Sequence, residues 1–210
     1  MALVSSKMAV DLSRSQHYNN PILWQDIAMA LIYLVRHGKA AGSFTDDLDP
    51  GLDGLGHSQA RAACEILADK LPLSLASSPL RRAQETADPL KESTSQSVRI
   101  ENRVAEIPSP GLSLQERGPW LQEVMQGNWS EQSTALQEWR KNLADSLLEI
   151  DTDTVIFSHF VAINAAVGVA ENDDKVYIFK PDNCSITVFE TNGVELKLVS
   201  RGDEADTKVN

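Results

Sequence analysis

The sequence predicts an α/β fold, a three-layer sandwich in which helices cover both faces of a mostly parallel central sheet and an antiparallel hairpin forms one edge. Short apolar segments, LIYLV (31–35), Leu73 to Ser77 and TVIFS (154–158), alternate with stretches whose apolar residues recur at spacings of three and four. The end of the chain follows a different rule. SITVFE and VELKLVS flank Thr191, Asn192 and Gly193, a turn that accepts positive φ, so a hairpin is expected there.

In chain order, residues 1–28 are polar and irregular as far as Ile22, Leu23 and Trp24, and are read as an N-terminal extension. The domain is expected over 29–200, with a polar, solvated tail over 201–210. LIYLV is the first strand. Beyond a loop bearing Asp46, Asp47, Asp49 and Pro50, the residues Ala60, Ala63, Cys64, Leu67 and Leu71 form one buried helix face. The strand Leu73–Ser77 then meets Ser78 and Pro79, a cap residue and a first-turn proline that predict a helix to about Leu90. Leu136, Trp139, Leu143, Leu147 and Ile150 mark a long amphipathic helix, TVIFS the next strand, and a further helix is expected from Phe160.

At 210 residues and 42% hydrophobic, the chain can bury one sizeable core. A formal net charge of −11 argues against nucleic acid or an anionic membrane as a partner. The longest apolar run, Ile27 to Val35, is about half of a membrane span. With no basic n-region before it, the protein is expected in the cytoplasm. Cys64, in a helical pattern, and Cys184, in a strand-like one, lack metal or redox spacing and are expected to be buried free thiols, with no metal and no cofactor. The sequence specifies no oligomeric state.

In an open α/β sheet, ligands bind beyond the carboxyl ends of the strands. Three strand ends carry chemistry. Arg36, His37 and Gly38 follow the first strand; Ser77 and Ser78 lead to Arg81 and Arg82, with Arg82 pointing back to the strand end and Arg81 to water; Ser158 and His159 follow TVIF at a helix N-terminus suited to an anion. Together they form a convergent pocket of two imidazoles and two guanidiniums in an acidic protein.

These segments, LVRHG, SSPLRRAQETA and VIFSHF, with GLDGLGHSQA and NCSITVFE, resemble the histidine phosphatase (phosphoglycerate mutase-like) superfamily over roughly residues 30–189. The resemblance implies that His37 is the nucleophile, Arg36 and Arg82 clamp the phosphate, His159 is a further phosphate ligand, and Glu106 in RVAEIPSPG is the proton donor, with Glu101 and Glu116 as weaker candidates. The chemistry requires these types. A neutral imidazole can attack phosphorus and be released by water. Guanidinium forks match the equatorial oxygens where a metal would otherwise be needed, and a carboxyl of raised pKa can protonate the leaving alkoxide.

The chain departs from the family pattern in KAAGSF after the first motif, where Lys39 and Ser43 stand in for a glutamate, a tryptophan and an asparagine. It also has Phe160 for the usual glycine and Asp53 for the usual threonine. His57, His17 and the Arg201–Gly202–Asp203 tripeptide have no partner pattern and are read as surface features. Trp120 and Trp129 either line the substrate mouth or anchor a helical cap, and specificity is expected in the segment from Pro108 to Glu131. The expected activity is metal-independent phosphomonoester hydrolysis of a small phosphorylated substrate or a phosphoprotein. Its alternatives are phosphoglycerate mutase-type transfer, phosphohistidine-protein dephosphorylation and an inactive phosphate-binding module.

Overall fold

The computed structural model of the chain describes residues 29–42 and 47–205. The expectations resting on residues 1–28, His17 included, and on Ser43, Asp46 and residues 206–210 lie outside the described residues.

Six strands form one sheet: β1 (Ala30–Arg36), β2 (Ser74–Ser77), β3 (Arg99–Ile100), β4 (Thr154–Ser158), β5 (Ile186–Thr191) and β6 (Leu196–Ser200). Their order is β3-β2-β4-β1-β5-β6, parallel from β3 to β1 and antiparallel from β1 to β6. The helices are α1 (Gly54–Ala68), α2 (Arg81–Thr94), α3 (Leu114–Gln126), α4 (Thr134–Leu148) and α5 (Phe160–Glu171).

LIYLV shows no alternation because both of its faces are buried. Tyr33 and Val35, with Val155 and Phe157 of β4 and Leu75 of β2, pack against Leu67 of α1 and Ala83, Ala87 and Leu90 of α2. Ile32, Leu34, Ala76 and Ile156 point the other way, to Leu143 and Leu147 of α4 and to Val161, Ile163 and Val167 of α5. At about 1.5–3 kcal/mol for each fully buried aliphatic side chain, this two-sided burial dominates the fold. Helix α5 is buried from Val161 through Gly168, so it lacks a polar face that would reveal its period.

The structure corrects several local expectations. Helix α1 ends at Ala68, and Leu71, expected on its buried face, is 40% exposed. Helix α2 begins at Arg81, not Pro79, with Leu80 at its N-cap. It continues past Leu90 to Thr94, where Ser93 and Thr94 donate their hydroxyls back to the Leu90 carbonyl. Cys184 lies in the turn before β5 with φ 60°, not in a strand, and both cysteines are half-buried and free. Residues 201–205, expected to begin a polar, solvated tail, are exposed or partly exposed and hold contacts with the domain. Arg201 pairs with Glu171, the Asp203 carbonyl accepts from the Asp182 amide, and the Ala205 amide donates to the Lys180 carbonyl. Among the described residues no helix is long and apolar enough to cross a membrane.

Candidate active site

The sheet order decides which strand ends meet. β4 lies between β1 and β2, with Arg36 in register with Ser158 and Ser77 with Phe157. The chain leaving each strand keeps that pairing, since the His37 amide donates to the Ser158 carbonyl (3.0 Å) and the Ser78 amide to the Phe157 carbonyl (2.9 Å). His37, Ser78 and His159 therefore emerge side by side.

His37 is 8% exposed. Its Nδ1 lies 2.7 Å from the Gly38 carbonyl, which can only accept, so Nδ1 carries the proton. The lone pair is then on Nε2, which accepts from Arg82 Nε at 3.1 Å. Burial, reinforced by the Arg82 and Arg36 charges, lowers the His37 pKa to about 3 and keeps the ring neutral.

His159 occupies the N-cap position of α5, fully buried, its ring centre 5.2 Å from that of His37. Its Nε2 is 2.7 Å from Ser78 Oγ, while its Nδ1 is buried without a partner among the described residues. Burial, with the neighbouring His37 and Arg82, holds its pKa well below the ordinary value.

Two guanidiniums flank the imidazoles. Arg82 is 7% exposed and also approaches Asp49 at 3.9 Å, whereas Arg81 turns outward to Glu85 at 2.6 Å, the division its helical position implies. Arg36 donates from Nη1 to the Pro181 carbonyl (2.8 Å), stands 5.1 Å over the Phe160 ring, and has a buried Nε without a partner among the described residues. Burial lowers the pKa of both arginines, yet two such cations on one cavity remain a strong anion trap.

The Glu106 carboxyl sits at the start of α5, where Oε1 accepts from the amides of Ile107 (3.0 Å) and Val161 (3.1 Å). Those donors, with Arg82 and Arg36, favour the carboxylate, but desolvation outweighs them and raises its pKa. The weaker candidates are employed elsewhere. Glu101 is bound by Arg103 and Arg99 and held at a pKa of about 2. Glu116 is exposed and closes the capping box of α3 with Ser113.

All five expected residues are brought together, with Arg36, His37, Arg82 and Glu106 lining one cavity of about 540 Å³ and His159 buried behind His37. Three supporting residues escaped sequence reasoning. Ser78, read only as a cap, is the partner of His159; Thr86 accepts from the Gly38 amide (3.0 Å); Asn183 donates to the His37 carbonyl (2.9 Å). The NCSITVFE segment was the available signal for Asn183. Lys39 lines the cavity but is paired with Asp53 at 2.9 Å, and Asp53 caps α1 through the Gly56 amide. Trp129 is 1% exposed in the core, and Trp120 packs against it, so both indoles anchor the cap. Leu121 and Met125 of α3 face the cavity instead. Among the described residues no cluster of three or more His, Cys, Asp or Glu side chains could hold a metal.

Fold and site together define an α/β protein with a buried, cationic, imidazole-bearing anion pocket. The sequence profile of the histidine phosphatase superfamily (branch 1) matches residues 32–204, and the chain belongs to that superfamily. It is 43% identical over 79 residues to a glucosyl-3-phosphoglycerate phosphatase of Mycolicibacterium vanbaalenii and 42% identical over 79 residues to one of Mycobacterium tuberculosis. Each match covers 36% of this chain and 35% of the relative, about a third of the relatives' length. A mycobacterial glucosyl-3-phosphoglycerate phosphatase structure superposes with a TM-score of 0.67 at 21% identity, over 84% of this chain and 100% of that one. A phosphoserine phosphatase of Entamoeba histolytica in complex with 3-phosphoglyceric acid does so with a TM-score of 0.67 at 22% identity, over 83% and 97%. Both share the fold.

Proposed function

We propose that the protein is a phosphomonoester hydrolase that works through a phosphohistidine on His37. The observation that carries this reading is His37 itself: a buried, neutral imidazole whose Nδ1–H is fixed on the Gly38 carbonyl, leaving the lone pair on Nε2, where Arg82 meets it at 3.1 Å.

The phosphoryl group enters the cavity and takes Arg82 and Arg36 as donors to its equatorial oxygens. His37 Nε2 attacks phosphorus, the P–O bond to the alcohol breaks, and Glu106 gives its proton to the leaving oxygen. Glu106, now a carboxylate, accepts a proton from a water that attacks phosphorus and cleaves the P–N bond. Phosphate leaves, and both His37 and Glu106 return to their starting forms. His159, backed by Ser78, has Nδ1 left to hold a phosphoryl oxygen. The protein residues supply every charge in this cycle, so no metal is assigned a role.

The cavity is the size of a small-molecule site, which favours a small phosphorylated metabolite over a phosphoprotein. The relatives named above are, by name, phosphatases of glucosyl-3-phosphoglycerate and of phosphoserine. Isomerisation would use the same phosphohistidine. It would also need cationic groups for a second phosphate, and of the two cavity lysines Lys39 is tied to Asp53, which favours hydrolysis. The free thiols accord with work in the cytoplasm.

Hydrolysis of an aryl phosphate in the presence of a chelator tests the reading. The wild type turns over and His37→Ala loses activity by about 10³-fold or more. Activity that survives His37→Ala, or that the chelator abolishes, overturns it.

A further inference from the structure

Resting on the phosphatase reading, we infer that the alcohol half of the substrate carries an aromatic ring, seated against a preorganised wall of Phe160 and Tyr177. These two rings are nearly parallel, 15° apart with centres 6.1 Å from each other. The Arg36 guanidinium stands over the Phe160 ring, 5.1 Å from its centre. Tyr177 belongs to the loop between α5 and β5, and that loop is fixed to α5 by one buried side chain. Asn164 Oδ1 accepts from the amides of Ile178 (2.8 Å) and Phe179 (3.0 Å), and its Nδ2 donates to the Phe160 carbonyl (3.0 Å). The backbone beside both rings is thus held by one hydrogen-bonded frame, which limits the ordering a ligand must impose.

The rest of the cavity continues this character. Beyond the phosphate cradle its apolar lining includes Leu48, Pro50, Leu121, Met125 and Val161. The polar groups that could read a carboxylate or a row of sugar hydroxyls are mostly engaged: Lys39 is paired with Asp53 and Asn183 donates to the His37 carbonyl. Lys180 and Asp47 line the cavity as well, one cation and one carboxylate beside the apolar wall, and Asp47 accepts from the Asp49 amide (3.1 Å). A compact, carboxylated alcohol would leave this wall wet and its own hydroxyls unmatched, whereas a ring would stack on Tyr177 and displace water from Leu121 and Met125. Tyr177 is 42% exposed, so its outer part is available and its truncation leaves the core intact.

Two alkyl esters of similar leaving-group reactivity separate the possibilities, 2-phenylethyl phosphate and 3-phosphoglycerate. The wild type is expected to show kcat/KM at least about tenfold higher for the phenylethyl ester. In Tyr177→Ala the ratio of the two values falls about fivefold, through KM of the aromatic ester. Equal or better turnover of 3-phosphoglycerate, or an unchanged ratio in Tyr177→Ala, overturns the proposal. Calorimetric binding of 2-phenylethylphosphonate against 3-phosphonopropionate gives a readout that needs no turnover. Tyr177-dependent preference for the aromatic phosphonate with no hydrolysis of any ester would sink the phosphatase reading alone. Hydrolysis without that preference would sink the aromatic-substrate inference alone.

Discussion

At the scale of single residues, the site separates groups by protonation state. His37 and His159 are buried near two guanidiniums and stay neutral, while Glu106, which feels the same cations, is pushed upward by desolvation. An imidazole that burial keeps neutral and a carboxyl whose protonated form burial favours are the pair a phosphohistidine cycle needs. If Glu106 donates the proton, kcat/KM falls as pH rises through its elevated pKa. Glu106→Gln should lower kcat by about 10²–10⁴-fold for an alkyl phosphate and flatten that basic limb. An aryl phosphate, whose leaving group needs less help, should suffer less. A pH–rate profile of the variant identical in shape to the wild type would remove Glu106 from the role.

At the scale of elements, the loop carrying the nucleophile is set by contact between two glycines. A Cβ at Gly38 would lie 2.6 Å from the Gly56 carbonyl oxygen, and one at Gly56 would lie 2.2 Å from the Lys39 carbonyl oxygen. The chain after β1 therefore runs directly across the first turn of α1, where Asp53 accepts from the Gly56 amide and Thr86 of α2 accepts from the Gly38 amide. Because the obstructing atoms are backbone, Gly56→Ala is expected to cost about 2–4 kcal/mol in urea unfolding and to lower kcat by displacing His37. A variant of unchanged stability would mean that α1 and this loop separate at no cost. The sequence showed both glycines, but their mutual approach joins residues 18 positions apart and appears only when α1 packs on α2.

At the scale of the whole molecule, the buried imidazoles make the folded state sensitive to acid. Their pKa values are lower in the folded than in the unfolded chain, so the unfolded state binds more protons as pH drops below about 6.5. Stability therefore falls with pH in that window, by roughly 2 kcal/mol between pH 6.5 and 5 from His37 alone. Glu101 adds a second decline. Its pKa is depressed to about 2 by Arg103, so its contribution is full above the unfolded carboxyl pKa and disappears as pH falls from there toward 2. Urea unfolding at pH 7, 5 and 3.5 should show both, and His159→Gln should shallow only the upper decline. A slope between pH 7 and 5 that His159→Gln leaves unchanged would contradict the buried, neutral assignment of that ring.

The sequence by itself determined the layers of this protein and the chemistry at its strand ends. A run such as LIYLV can be satisfied only inside a covered sheet, and Asn192 and Gly193 supply the turn for a terminal hairpin. The residue types at 36–38, 82 and 158–159 were legible for the same reason, since each follows a local strand or helix signal. Tertiary structure decided what required distant segments to meet. It placed β4 between β1 and β2, so that Ser78 became the partner of His159 and not a helix cap. It left Glu106 at the start of α5 while binding Glu101 to Arg103, a choice among carboxyls that spacing alone does not make. It also carried Trp129 into the core and gave the cavity wall to Leu121, Met125 and Tyr177. Periodicity along a chain reports which faces are covered, whereas the neighbour that covers them, and the field it imposes on a buried charge, exist only once the sheet has closed.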